Sequence, residues 1–83
     1  LLDDVPLALP ALARAAKLQR RAARAGLAGP PEAGAEGVDA SALGERLFAL
    51  VALANRDGLD PEQALRDANA RFVARVKAGK GPA

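Results

Sequence analysis

The run Asp60-Pro61-Glu62-Gln63-Ala64-Leu65-Arg66-Asp67-Ala68-Asn69-Ala70-Arg71-Phe72 constrains the fold more than any other part of the chain. It carries the start signals of a helix. Asp60 suits the cap, Pro61 suits the first helical position, and Gln63 stands at the capping-box spacing. With Leu65 set at zero and an advance of about 100° per residue, Phe72 and Val76 fall within roughly 20° of it, and Asn69 at about 40°. An amide thus sits inside an apolar stripe. Left without partners it would cost about 1–3 kcal/mol. Asn69 is therefore either an inter-helix hydrogen bonder or part of a ligand site.

Two further helices are readable upstream. The first is expected over residues 6–25, after Asp3 and Asp4, with Gly26 as its stop. Pro10 falls in its early turns and moves the expected start toward Leu9. Between Val5 and Pro31 there is no acidic residue, while Arg14, Lys17, Arg20, Arg21 and Arg24 all lie there. With Leu7 at zero these cations occupy about 220° to 340°, one wholly cationic face, and Gln19 falls at about 120° in the apolar sector as a second lone amide. That face reads as solvated, or as a contact for phosphate or another domain. Residues 26–38 are rich in Gly and Pro and read as a loop, long for a compact domain. A second helix is expected over residues 40–57, capped by Asp39 or Ser41. Its centre, Leu47-Phe48-Ala49-Leu50-Val51-Ala52-Leu53-Ala54, is apolar on every side, the pattern of a buried central helix. The third helix is expected over residues 61–78, with an Asp67–Arg71 pair at i,i+4 and a frayed tail over 79–83.

The expectation is one all-α domain over residues 1–83. Much of its 51% hydrophobic content is Ala, and Phe48 and Phe72 are the two aromatic residues. Ala buries little area, so three helices cannot cover every side of the middle one, and a partner is expected. With no Cys and no His, disulfides, most structural zinc sites and the Ser-His and Cys-His nucleophiles are excluded. No apolar run has the length of a membrane span and no secretory pattern opens the chain, which gives the expectation of a cytoplasmic protein without a membrane partner. The chain contains no Met and reads as a fragment or a processed product.

Three blocks resemble a known family. Leu9-Pro10-Ala11-Leu12, Lys17-Leu18-Gln19 and Arg21-Ala22-Ala23 resemble the opening helix of the C-terminal domain of MazG, an all-α nucleoside triphosphate pyrophosphohydrolase. Leu43-Gly44-Glu45 with Leu47-Phe48-Ala49-Leu50-Val51 resembles its Glu-Leu-Gly-Asp-x-Leu-Phe-Ala-x-Val helix. Asp60-Pro61-Glu62 through Asn69-Ala70-Arg71-Phe72 and Arg75 resembles its final Asn-x-Lys-Phe-x-x-Arg helix. The resemblance implies a three-helix element that packs in a dimeric helical bundle, with a homodimer or an adjacent MazG domain as partner. It also implies Mg²⁺-dependent hydrolysis of an NTP to NMP and pyrophosphate. In the family two carboxylate pairs, Glu-x-x-Glu and Glu-x-x-Asp, form an oxygen cage for metal, because residues three apart share a helix face.

The chain departs from that pattern at the metal site. The Gly/Pro loop replaces the helix of Glu-x-x-Glu. Ala42 takes the Glu position of the second pair, Glu45 takes its Asp position, and Ala52 replaces the family's Asn. Glu45 is the one family carboxylate position that survives as a metal candidate, and its plain reading is a partly exposed helix charge. By resemblance Lys17, Asn69, Arg71 and Arg75 are the candidates for nucleotide or phosphate contact. Arg71 replaces the family's Lys, which keeps the charge and changes the geometry. Arg75 reads otherwise as a surface residue and Gln19 as structural. The expected function is a degenerate MazG-like domain with a structural, dimerisation or regulatory role. The alternative is a residually active pyrophosphohydrolase retaining Mg²⁺. A nucleic-acid module on the basic helix is the third reading. The lack of aromatic residues free to stack, and of any groove-reading motif, argues against it.

Overall fold

The computed structural model describes residues 2–27 and 37–79. The protein is all-α. Three helices run in chain order, α1 (Ala11–Arg24), α2 (Ala40–Arg56) and α3 (Pro61–Gly79), with no strand among the described residues. Most of the Gly/Pro loop and residues 80–83 lie outside the described residues. No helix among those described is long and apolar enough to cross a membrane.

α1 begins later than the expected residue 6, and the reason is Pro10. Inside a helix, proline removes a backbone donor and crowds the preceding turn, and it drives the residue before it out of the α region. Pro10 accordingly stands at the N-cap with φ −54° and ψ 148°, and its carbonyl accepts the first helical bond, from the Arg14 N–H at 2.9 Å. Residues 2–10 form turns instead, one closed by the Val5 N–H donating to Leu2 O at 3.1 Å. Gly26 ends the helix at φ +72°, in the left-handed region that the turn after α1 requires. At α2 the Asp39 side chain accepts from the Ala42 N–H at 2.8 Å, a side-chain cap as expected.

The chain divides into two compact units. One comprises the N-terminal segment, α1, and α3 from Glu62 onward. Its core is Leu2 and Val5 from the turns, Leu18 and Ala22 from α1, and Phe72 and Val76 from α3, flanked by Leu9, Leu27 and Val73. The stripe expected on α3 is therefore the buried one. Two surface ion pairs hold the N-terminal segment, Asp4 to Arg21 on α1 and Asp3 to Lys77 on α3. Exposed pairs of this kind each contribute about 0–1 kcal/mol, so the segment is held chiefly by burial of Leu2 and Val5.

The other unit spans Pro31–Pro61 and carries α2. A buried central helix was the expectation for α2, and this is corrected: Ala54 is its one buried residue. Leu43, Leu47, Phe48, Leu50, Val51 and Leu53 are all exposed. The described residues of this unit contain no second helix to cover them.

Candidate functional site

Two features of the first unit converge on the first residue of α1. The N-terminal N–H groups of a helix have no partner within it, and Pro10 has no side chain that can cap them. α3 supplies the missing acceptor. Glu62 in its first turn accepts from the Ala11 N–H through Oε2 at 2.8 Å, and the same oxygen accepts from Arg66 Nη2 at 3.0 Å. One α3 heptad further on, Asn69 donates from Nδ2 to the Ala11 carbonyl at 3.0 Å. Asn69 is 5% exposed and this bond is buried. The peptide groups of Ala11 are thus gripped on both sides by side chains from one face of α3. Of the two roles open to Asn69, the inter-helix bond is the one its amide nitrogen makes.

The other sequence-derived candidates are placed differently. Lys17 is exposed on α1, and Arg71 and Arg75 are exposed on α3. The Arg75 guanidinium lies over the Phe72 ring, 5.8 Å from its centroid. Asn69 and Arg71 are two residues apart, so they leave the helix about 160° from each other. The burial of one and exposure of the other follow, and they do not line one face. The expected Asp67–Arg71 pair is absent among the described ion pairs. Asp67 instead accepts from Gln63 Nε2 at 2.9 Å, and the i,i+4 ion pair of this helix is Glu62–Arg66 at 3.0 Å. Glu45 is exposed on α2. Among the described residues no three acidic side chains come together in a way that could hold a metal ion. Among the described residues Glu45 therefore lacks the companions that an oxygen cage for Mg²⁺ requires, and no step is derived through a metal there.

On α1 the sequence misjudged two polar residues. Gln19, expected on the buried side, is exposed, and Arg14, expected on the solvated cationic face, is 7% exposed. The buried arc of α1 holds Ala11, Arg14, Ala15, Leu18 and Ala22. On the wheel that started at Leu7 it runs from about 340° to about 80°, which takes in Arg14 and leaves Gln19 some 40° outside. The apolar sector had appeared wider because its margins are Ala, which is content on either side. Arg14 Nε has no hydrogen-bond partner. The burial of Arg14 and the capping role of Glu62 were not read from the sequence. Arg14's position on the wheel next to Leu18 was the available signal.

The remaining cations of α1 form a surface. Lys17, Arg20, Arg21 and Arg24 line an open depression of about 170 Å³. Arg21 is paired with Asp4, and the hydrogen bond from Arg21 holds the Asp4 carboxyl below its ordinary value. Among the described residues no acidic side chain pairs with Lys17, Arg20 or Arg24.

α2 presents the apolar surface. Leu43, Leu47, Leu50 and Ala54 recur at intervals of three and four residues, and on a wheel they fall within about 40° of Leu43. Leu50 is 60% exposed and Leu47 36%.

The chain is similar to an uncharacterized 26.1 kDa protein in the blaB 3′ region of Streptomyces cacaoi, with 44% identity over 79 residues. That match covers 95% of this chain and 31% of the relative, so the chain spans about a third of the relative's length. No family model matches the chain. No solved structure matches it significantly.

Proposed function

We propose that this chain is a degenerate MazG-like element whose work is assembly. The apolar stripe of α2 joins a second copy in a dimeric helical bundle, and any NTP hydrolysis is carried out by carboxylates outside these residues. The observation that carries this reading is the pairing of two features on one helix. α2 holds Glu45 outside any group of three acids among the described residues and shows Leu43, Leu47 and Leu50 to solvent. Four-residue and three-residue spacing of large apolar side chains is the pattern of a helix that packs along another helix. Covering such a side chain fully contributes about 1.5–3 kcal/mol, enough for a few of them to hold a dimer at working concentrations. The order of the three sequence blocks that resemble MazG supports the family assignment.

The test is sedimentation equilibrium on the chain and on Leu50→Glu. The expected result is a concentration-dependent dimer that the substitution converts to monomer with helicity retained. A chain that stays monomeric at high concentration would assign the stripe to an adjacent domain of a longer protein and defeat the homodimer. Pyrophosphate release from an NTP with Mg²⁺ at an enzyme-like rate by this chain would defeat the degenerate-domain reading itself.

A further inference from the structure

We propose that the outer face of α1 is a binding site for a compact oligophosphate, held by charge alone and without recognition of any attached base. The site is Lys17, Arg20, Arg21 and Arg24. Their spacing of three, one and three residues sets them along two successive turns, and they share one depression. Four cations around about 170 Å³ concentrate positive potential in a small volume. The helix C-terminus nearby tolerates cations through its dipole, worth about 0.3–1 kcal/mol each at the surface, but it gives them no counter-ion. Arg21 is braced by Asp4, which fixes one guanidinium in place. Lys17, Arg20 and Arg24 keep their donors available among the described residues.

Arg14 supplies a second, independent observation. It precedes Lys17 by three residues, one turn along α1, and is nine-tenths buried with Nε unpaired. Its Nε is withdrawn from water without a partner, so Arg14 adds one more positive charge a turn before Lys17. Among the described residues this stretch of α1 thus carries five cations, of which Arg21 is paired with an acid.

The ligand class follows from what lines the depression. Lysine and arginine are donors only, and arginine matches phosphate oxygens through two parallel N–H groups. No aromatic ring and no side-chain acceptor stands among the lining residues to stack on a base or read its edge. The depression is short, about two turns of helix or roughly 10 Å, which suits two or three linked phosphates better than an extended strand. The proposal is independent of the assembly reading, since it uses α1 alone, and its failure would leave the α2 dimer untouched.

The experiment is calorimetric titration of the intact chain at low salt with tripolyphosphate, orthophosphate, a nucleoside triphosphate, the bare nucleoside and a short single-stranded DNA. Tripolyphosphate is expected to bind at least about tenfold more tightly than orthophosphate, because each added charge meets another cation. The nucleoside triphosphate should match tripolyphosphate within a few-fold, and the nucleoside should not bind. The double variant Arg20→Glu with Arg24→Glu should lose tripolyphosphate binding. Arg20→Gln with Arg24→Gln should weaken it with helicity preserved, and Arg46→Glu on α2 should leave it unchanged. Absence of tripolyphosphate binding, or binding indifferent to the Arg20 and Arg24 changes, would overturn the site. A nucleoside triphosphate more than about tenfold tighter than tripolyphosphate would show that a base is read and overturn the charge-only claim. Preference for the DNA over tripolyphosphate would overturn the compact ligand.

Discussion

Asn69 offers the sharpest perturbation, because three substitutions there separate three physical effects. In the native chain its buried amide donates to the Ala11 carbonyl at 3.0 Å while Glu62 accepts from the Ala11 N–H at 2.8 Å. Asn69→Leu keeps the branched shape and heavy-atom count, with somewhat more volume, and removes the bond, which is worth about 1 kcal/mol net. The share from the lost bond should be no more than that, because the Ala11 carbonyl is also in position to accept the ordinary helical bond within α1. Asn69→Ala removes the bond and the packing as well, and should cost about 1.5–3 kcal/mol. Asn69→Asp replaces a donor with an acceptor that faces a carbonyl, on the same helix face as the Glu62 carboxylate. It should cost the most, about 2–4 kcal/mol at neutral pH. That loss should shrink as pH falls and the new carboxyl takes a proton, since its O–H then donates where the amide did. The chain has no Trp and no Tyr, so urea unfolding is followed by far-ultraviolet circular dichroism. Each kcal/mol corresponds to about 4–8 °C in Tm for a domain of this size. An Asn69→Asp variant as stable as Asn69→Leu at neutral pH would refute the claim that this amide joins α3 to the start of α1.

Four other outcomes follow from the same structure. Leu18→Ala, at the most deeply buried large side chain among the described residues, should cost about 2–5 kcal/mol and bring the chain close to unfolding in circular dichroism. Arg14→Met keeps the aliphatic stem and removes the unpaired buried Nε; stability should stay level or rise by up to about 2 kcal/mol, and a clear fall in urea midpoint would contradict this. Glu62→Ala should cost about 1 kcal/mol and speed amide exchange at the first turn of α1, seen by NMR hydrogen exchange. Asp4 titrates lower in the folded chain than its ordinary 3.8 because Arg21 donates to it, so its contribution is complete above that value and fades as pH falls through the lower folded one. Asp4→Asn should remove that acid-side dependence from the urea midpoint, and an unchanged pH profile would dismiss the pair.

The parts of the fold legible in the sequence were those where a residue type has few alternatives. Proline at residue 61 and Asp39 ahead of Ala40 mark helix starts, and the stripe of Asn69, Phe72 and Val76, with Leu65 half-buried at its N-terminal end, marks the buried side of α3. Alanine carries no such information. In α1 the buried arc is set by Leu18 and by the residues that happen to surround it, so the sequence placed Gln19 inside and Arg14 outside. The start of α1 was legible in principle, since Pro10 forbids the interior of a helix, but the acceptor for the Ala11 N–H was not. Glu62 lies fifty-one residues away, and a cap delivered across the fold leaves no local spacing to read. The candidate site divides the same way. The cationic face was visible as an acid-free stretch, whereas the opposite orientations of Asn69 and Arg71 required the helix to be built.

The two units spend their apolar residues in opposite ways, and this is what favours assembly over autonomy. In the first unit six side chains from three separate segments close on each other, and the Ala11 peptide groups at the start of α1 are tied down by Glu62 and Asn69. In the second, the longest apolar run of the chain is left with a single buried Ala. Helix propensity cannot explain why α2 holds its shape, since an isolated helix of 17 residues is marginal in water. On the assembly reading proposed above, lasting order in α2 comes from a partner surface that covers Leu43, Leu47 and Leu50. If α2 keeps full amide-exchange protection in a chain proven monomeric, that account is wrong, and the assembly reading falls with it.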